Sequence, residues 1–262
     1  MDDEETVTKL APLLFICLAG SVAAQQPEAP PPDVSAASQT EEPIPLTRLV
    51  TGTLRDQKAI WTFPARVGQH WKPVLAVAAV TAGLIASDPY TESYFHDRAG
   101  FSTYKTGPLR GRNSTLAMTL TPAAFFVVGL TTKRAHSRNT GLLAAEAVVD
   151  TQIVTFAMKH AIGRLTPSEI PPQGSLRDTW FKYHGSFTNG GSFPSGHSAT
   201  AFGVATVIAV RYREHRWVPW VAYGAAAALA LTRLPDQAHF PSDIFIGAAM
   251  GYGIGHLVMG RQ

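Results

Sequence analysis

The sequence predicts an all-α protein, a six-helix bundle that is embedded in a membrane. Six stretches of the 262-residue chain are rich in Ala, Leu, Val and Gly. None of them shows the sustained alternation of polar and apolar residues that indicates a β-strand, and no sequence repeat connects them. The six predicted helices are residues 73–87, 114–131, 141–162, 198–211, 217–232 and 243–258.

The N-terminal part is predicted to precede this bundle as a separate segment. Residues 10–24 are apolar and end in small residues, which is typical of a signal peptide cleaved after Ala24, although their acidic start also fits an uncleaved anchor. Residues 25–46 are rich in Pro, Ala, Ser and Glu, which is typical of a disordered linker. We therefore expect a leader or anchor over 1–24, a linker over 25–46 and a helical domain over 47–262.

Two questions about the membrane stay open in the sequence. Most of the six stretches are shorter than the ~20 residues that span a bilayer, so they fit membrane spans, which we favour, or the buried helices of an exported bundle. Residues 54–72 combine basic residues with Trp61, Phe63 and Trp71. They fit a segment lying on the membrane surface or ordinary packing of the three rings.

Charge is distributed unevenly along the chain. The first 46 residues hold eight acids and one base, which leaves 21 Lys and Arg residues against 11 Asp and Glu residues in the remainder. A basic body suits an anionic substrate or an anionic membrane surface. The bases do not cluster with interleaved aromatic residues, so no nucleic-acid partner is expected. The single cysteine, Cys17, excludes an internal disulfide and a cysteine-based metal site.

The segment 190–202, GGSFPSGHSATAF, leads directly into a predicted helix. Unpaired backbone N–H groups at a helix N-terminus bind anions, and glycines such as Gly196 let the backbone approach a ligand closely. One interpretation is therefore an anion cradle with His197 as a proton donor at its rim. The other is a helix capped by Ser195 with His197 on the surface.

Four helix ends share one face if the six helices alternate in direction. That face receives Lys159, the PSGH of 194–197, Arg233 and the HFPSD of 239–243. Two cations, two histidines and a carboxylate at one place suit the binding and transfer of a phosphoryl group. By contrast, we expect Glu146 and Asp150 to face partners inside the bundle, and the sequence indicates no carboxylate cluster that would hold a metal ion.

These motifs resemble the three signatures of the type 2 phosphatidic acid phosphatase and vanadium haloperoxidase superfamily: K-x6-R-P, P-S-G-H and S-R-x5-H-x3-D. The second signature is complete, and the third differs only in Thr232, which replaces serine. The first has Thr166 where the family has arginine, followed by the expected Pro167. The resemblance covers about residues 140–258.

The resemblance implies the six-helix fold of this superfamily and a phosphatase that needs no metal or other cofactor. His239 would attack phosphorus and form a phosphohistidine, Asp243 would orient it through a hydrogen bond, and His197 would protonate the leaving oxygen. Arg164 lies two residues before Thr166 and would reach the same phosphate. The implied phosphate-binding residues are Lys159, Arg233, Ser195, Gly196, Arg164 and Thr166.

The implied substrate is a phosphomonoester or diphosphate, either of a lipid such as phosphatidate or a polyprenyl diphosphate, or of a small molecule. A vanadium-dependent haloperoxidase, with His239 binding vanadate, and a degenerate phosphate binder, suggested by Thr166, are the alternatives. The sequence gives no indication of the oligomeric state.

The distribution of basic residues predicts the orientation of the bundle. The short loops away from the predicted site are basic, which by the positive-inside rule directs the site to the periplasm of a bacterial cell, from the inner membrane or within an exported bundle. These residues are Lys133, Arg134, Arg138, Arg211, Arg213 and Arg216.

Overall fold

A computed structural model describes residues 41–96, 111–171, 174–182 and 191–261 of the chain. Within these residues the regular secondary structure is helical throughout, which confirms the all-α prediction. Two 3₁₀ helices, Phe63–His70 and Pro167–Glu169, accompany the α-helices. The α-helices are α1 (Thr47–Thr62), α2 (Trp71–His96), α3 (Gly111–Thr131), α4 (Ala135–Ile162), α5 (Gly196–Arg211), α6 (Val218–Leu231) and α7 (Pro241–Met259).

The six predicted helices correspond to α2–α7, and α1 is an additional helix. Most of the predicted helices are longer than expected, because polar residues continue them: α4 begins at Ala135 rather than at residue 141. At the junction of α1 and α2, Trp61 is 51% exposed and Trp71 is 55% exposed. Packing of these rings in a core is therefore wrong, and a location at the membrane surface stays a prediction.

The C-terminal end of the predicted linker packs on the helical domain. The predicted leader and residues 25–40 of the linker lie outside the described residues. Glu41 accepts hydrogen bonds from Arg211 (2.8 Å) and Asn139 (2.8 Å), and the backbone N–H of Ile44 donates to the Asn139 side chain (2.8 Å). Burial raises the pKa of the Glu41 carboxyl, but these hydrogen bonds outweigh burial and hold the pKa below its usual value. Residues 41–46 thus contact the ends of α4 and α5.

Helix α5 lies at the centre of the bundle and packs on α4, α6 and α7. Its contact with α7 is backbone to backbone, because α7 presents glycines at every fourth position. A Cβ atom at Gly247 would overlap the carbonyl oxygen of Ser195, and one at Gly251 would overlap that of Ala199. Gly255 continues this row. Since both sets of residues advance together, α5 and α7 run parallel and begin side by side at the same end of the bundle.

Three stretches are long and apolar enough to cross a membrane: Trp71–Glu92, Asn113–Thr131 and Ala135–Glu169. Val218–Leu231 is apolar but shorter. Water-soluble proteins rarely expose large contiguous apolar surfaces, so the structure supports a membrane-embedded bundle over an exported one. Large apolar side chains exposed on or beside α2, α3 and α6 include Leu75, Val80, Leu116, Leu120, Val127, Val128, Trp217, Trp220 and Val221.

We expect Gly251→Ala to destabilise the bundle, because the new methyl group would force α7 away from the backbone of α5. Overpacking of this kind costs about 1–3 kcal/mol. Gly253→Ala is the matched control, since a Cβ there has no neighbour within 4 Å, and alanine favours a helix by up to about 1 kcal/mol over glycine. Thermal unfolding in detergent should place Gly251→Ala below the natural protein and Gly253→Ala at or above it. Equal melting temperatures for the two variants would contradict the close α5–α7 contact.

Candidate active site

His239 and Asp243 lie together at the start of α7. His239 is 5% exposed, and its Nδ1 is 3.8 Å from Oδ2 of the fully buried Asp243. Pro241 occupies the first turn of α7, where its fixed φ and missing N–H suit a helix start. Burial lowers the pKa of His239, which favours the neutral imidazole that a nucleophile needs.

The predicted hydrogen bond between these two side chains is not formed. A separation of 3.8 Å exceeds hydrogen-bonding distance, and Nδ1 of His239 has no hydrogen-bond partner within the described part of the chain. The reason is that both oxygens of the Asp243 carboxylate accept hydrogen bonds from other donors. Its Oδ2 accepts the backbone N–H of Phe240 (2.8 Å), and its Oδ1 accepts Nη1 of Arg164 (2.6 Å).

His197 lies in the first turn of α5 and is half-buried. Its Nε2 shares a hydrogen bond of 2.8 Å with the Thr115 hydroxyl of α3. Ser195 caps the helix as predicted, since its Oγ accepts the backbone N–H of Ser198 (3.4 Å). The helix cap of the second interpretation is thus confirmed, and His197 is held by a neighbouring helix. The anion cradle of the first interpretation stays a prediction. Nothing in the sequence indicated Thr115.

Ser195 does not offer its backbone N–H to a ligand, which corrects the predicted role of that group. The N–H donates to the carbonyl oxygen of Asp243 (2.9 Å), because the close packing of α5 on α7 brings the two backbones together. Gly196 follows as the first residue of α5, where N–H groups have no intrahelical acceptor. A Cβ there would lie 3.6 Å from Oγ1 of Thr155. The phosphate-binding role of Gly196 stays a prediction, and Ser195 joins the two helices.

Lys159 and Arg233 are the two cations of the predicted set whose charges add to burial in lowering the pKa of His239. Lys159, in the last turn of α4, donates from Nζ to the carbonyl oxygen of Gly191 (2.6 Å). Arg233 follows α6, is 4% exposed and forms an ion pair with Asp236. The sequence did not indicate Asp236. Both cations lie where the alternating helices were expected to bring them.

Arg164 is hydrogen-bonded and stacked inside the protein, which corrects the prediction that its guanidinium is available to the phosphate. Its guanidinium is 2% exposed and stacks between the rings of Trp180 (4.3 Å) and Phe240 (3.9 Å). It donates to the Asp243 carboxylate and to Asp88 of α2 (2.7 Å). The guanidinium thus has two carboxylates as hydrogen-bond acceptors and two aromatic rings packed against it.

Thr166 takes part in a local turn. It caps the 3₁₀ helix Pro167–Glu169, where its backbone N–H donates to the Glu169 side chain (2.8 Å). Its hydroxyl shares a hydrogen bond of 3.1 Å with the Ser168 hydroxyl. A hydroxyl used in this way does not replace the guanidinium that the family has at this position.

A cluster of three carboxylates lies elsewhere in the bundle and corrects the expectation that the chain has none. Asp56 of α1 joins Glu146 and Asp150 of α4, with ligand atoms within 4.8 Å of one another. Glu146 and Asp150 thus face a partner inside the bundle, as predicted. Arg48 lies 3.5 Å from Glu146, and Arg261 pairs with Asp56, so two cations balance most of this charge. These carboxylates are the group within the described ranges whose spacing fits a metal ion.

Comparison with known proteins connects this geometry to a family. Residues 140–261 match the family model of the PAP2 superfamily. The lipid A 1-phosphatase of Rhizobium etli is 36% identical over 105 residues, which are 40% of this chain and 42% of that protein. The lipid A 4'-phosphatase of Bacteroides thetaiotaomicron is 31% identical over 100 residues, 38% of this chain and 43% of that protein. The alignments thus span less than half the length of these relatives.

A solved structure is similar over more of the chain. The crystal structure of a transmembrane PAP2-type phosphatidylglycerolphosphate phosphatase from Bacillus subtilis covers 82% of this chain and 94% of that one, with a TM-score of 0.41 and 19% identity. The family model itself includes the three motifs that meet at His239, from Lys159 to Asp243. Residues 140–261, which carry all three motifs, thus match the PAP2 superfamily over nearly half of the chain.

Proposed function

We propose that this protein is a metal-independent phosphatase that hydrolyses a phosphate ester of a lipid through a phosphohistidine intermediate. The observation that carries the proposal is the meeting of His239, His197, Lys159 and Arg233 at one end of an apolar bundle. Relatives named lipid A 1-phosphatase and lipid A 4'-phosphatase support a phosphorylated lipid as the substrate class. Phosphatidate, a polyprenyl diphosphate and lipid A are the candidates to compare.

The first half of the reaction forms the intermediate. The unprotonated ring nitrogen of His239 attacks phosphorus, so that a P–N bond forms while the P–O bond to the lipid breaks. His197 gives a proton to the leaving oxygen and releases a lipid alcohol. Lys159 and Arg233 offset the charge on the phosphoryl oxygens in the transition state, as does the N–H of Gly196.

The second half regenerates the enzyme. His197, now neutral, takes a proton from a water molecule that attacks the phosphohistidine. The new P–O bond forms as the P–N bond breaks, and inorganic phosphate leaves. Lys159 donates to the Gly191 carbonyl oxygen, so phosphate binding exchanges this contact for one with a phosphoryl oxygen. Arg233 forms an ion pair with Asp236, but its Nε has no hydrogen-bond partner within the described residues. This Nε can therefore donate to a phosphoryl oxygen without giving up a hydrogen bond.

The position of the site suits a substrate with an apolar tail. Helix α3, which supplies Thr115 to His197, exposes Leu116 and Leu120 on its outer surface. A phosphate at His239 would thus lie beside apolar helix surface that acyl or prenyl chains can contact. We propose a location in the bacterial inner membrane, with the site facing the periplasm.

We expect His239→Ala to abolish turnover while the bundle stays folded, because no other group would form the covalent intermediate. The loss of phosphate release should exceed about a thousandfold, as for other covalent nucleophiles. His215→Ala is the control, since His215 is exposed in the turn between α5 and α6. The assay measures phosphate release from lipid A, phosphatidate and p-nitrophenyl phosphate in mixed micelles. Near-normal hydrolysis by folded His239→Ala would remove His239 from the role of nucleophile.

We expect His197→Ala to be most harmful for substrates with poor leaving groups. An alkoxide must be protonated as it departs, whereas p-nitrophenolate departs without that help. The kcat/KM for a lipid phosphate should fall by about 10²- to 10⁴-fold, the usual contribution of a general acid, and fall much less for p-nitrophenyl phosphate. Equal losses on both substrates would show that His197 is not the general acid.

We expect a reporter fused after Gln262 to lie in the cytoplasm. The C-terminal end of α7 and the basic turns after α3 and α5 share the end of the bundle opposite to His239, and basic loops stay in the cytoplasm. Alkaline phosphatase and green fluorescent protein fusions distinguish the two sides. A periplasmic reporter on a protein released by osmotic shock would instead establish an exported bundle.

A further inference from the structure

Asp88 of α2 reaches the start of α7 from a part of the chain that precedes the matched family region. It is fully buried, and each of its two carboxylate oxygens accepts a hydrogen bond from Ser242. The Ser242 hydroxyl donates to Oδ2 (2.5 Å), and the Ser242 backbone N–H donates to Oδ1 (3.2 Å). Ser242 directly precedes Asp243, so Asp88 fixes the turn of backbone that carries the partner of His239.

Arg164 connects the two carboxylates. Its Nη2 donates to Oδ2 of Asp88 (2.7 Å), and its Nη1 donates to Oδ1 of Asp243 (2.6 Å) and to the Ser242 hydroxyl (2.8 Å). Its Nε donates to Thr179 (3.3 Å). All three nitrogens of the guanidinium are therefore hydrogen-bonded, and the rings of Trp180 and Phe240 pack against it.

The charges in this network determine how much negative charge the Asp243 carboxylate keeps near His239. One guanidinium is shared by two carboxylates, so Asp88, Arg164 and Asp243 together carry one negative charge. Glu92, one turn further along α2, is buried with neither carboxyl oxygen hydrogen-bonded within the described residues, and a carboxyl group in such surroundings is more stable when neutral. Without Asp88, the guanidinium would neutralise Asp243 alone.

We propose that Asp88 is a positioning residue for the nucleophile and acts on His239 through Arg164 and Asp243. Because Asp88 shares Arg164, the Asp243 carboxylate keeps negative charge to stabilise the cationic imidazole ring formed when His239 attacks phosphorus. Asp88 also holds Asp243 at its distance from His239 through Ser242. This inference rests on the proposed function of His239.

The test compares Asp88→Asn with the natural protein as full-length chains in micelles. Asparagine keeps the shape and removes the charge, so we expect kcat to fall about ten- to a hundredfold, the kinetic equivalent of about 1.4–2.8 kcal/mol. KM should stay within about twofold, because Asp88 touches no substrate. The rate of phosphoenzyme formation, measured by rapid quench with ³²P-labelled lipid, should fall with kcat. Asp178→Asn is the matched control, since Asp178 forms an exposed ion pair with Lys182.

The outcomes separate positioning from a purely structural role. A folded Asp88→Asn variant with unchanged kcat would overturn the proposal, as would a rise in KM at constant kcat. Should Asp88→Asn not fold, Ser242→Ala decides, because it removes the hydrogen bonds of the Ser242 hydroxyl to Asp88 and Arg164 and leaves every charge in place. We expect Ser242→Ala to lower kcat about three- to tenfold at constant KM, and an unchanged kcat there would overturn the proposal.

The same assay keeps this inference apart from the proposed function. Failure of the proposed function would appear as an inactive natural protein, or as a natural protein that turns over without a ³²P-labelled intermediate at His239. Failure of the inference alone would appear as an active natural protein, an inactive His239→Ala variant and an Asp88→Asn variant with normal kcat.

Discussion

The close contact between α5 and α7 is the constraint on which the site depends. Glycines on α7 bring its backbone against that of α5, and the two helices start at the same level. The hydrogen bond from the Ser195 N–H to the Asp243 carbonyl oxygen fixes this alignment at the N-terminal ends of the two helices. His197 and His239 come from segments more than 40 residues apart, and this contact brings them to the same end of the bundle.

Much of the fold was predictable from the sequence because burial in a membrane bundle depends on long apolar stretches. The six predicted helices are present, and their ends differ where polar residues such as those at the start of α4 extend a helix. Helix α1 was missed because it alternates polar, basic and apolar residues and buries only a narrow face, which includes Gly52 and Asp56. The contact of Glu41 with Arg211 joins residues 170 positions apart, and local composition carries no information about it.

The candidate site was predictable as a set of residue types and less so as a set of contacts. Motif spacing and helix direction were enough to gather Lys159, Arg233 and the two histidines. The role of Arg164 was mistaken because its partners come from α2 and from the rings of Trp180 and Phe240, which only the folded chain brings near. Asp88 lies one residue beyond a predicted apolar stretch, where nothing distinguishes it from an ordinary acid at a helix end. The hydrogen bond of the Thr166 hydroxyl with Ser168 is a local contact that motif spacing does not indicate.

The parallel arrangement of α5 and α7 has an energetic consequence. Each helix carries a partial charge of about +0.5 at its N-terminus, and two such ends of like sign lie side by side here. Their repulsion works against the close glycine contact, and an anion placed between the ends converts repulsion into shared attraction. Inorganic phosphate, the product of the proposed reaction, is such an anion. Product inhibition and stabilisation of the bundle against heat would then have a single cause, since a ligand bound only by the folded state stabilises that state.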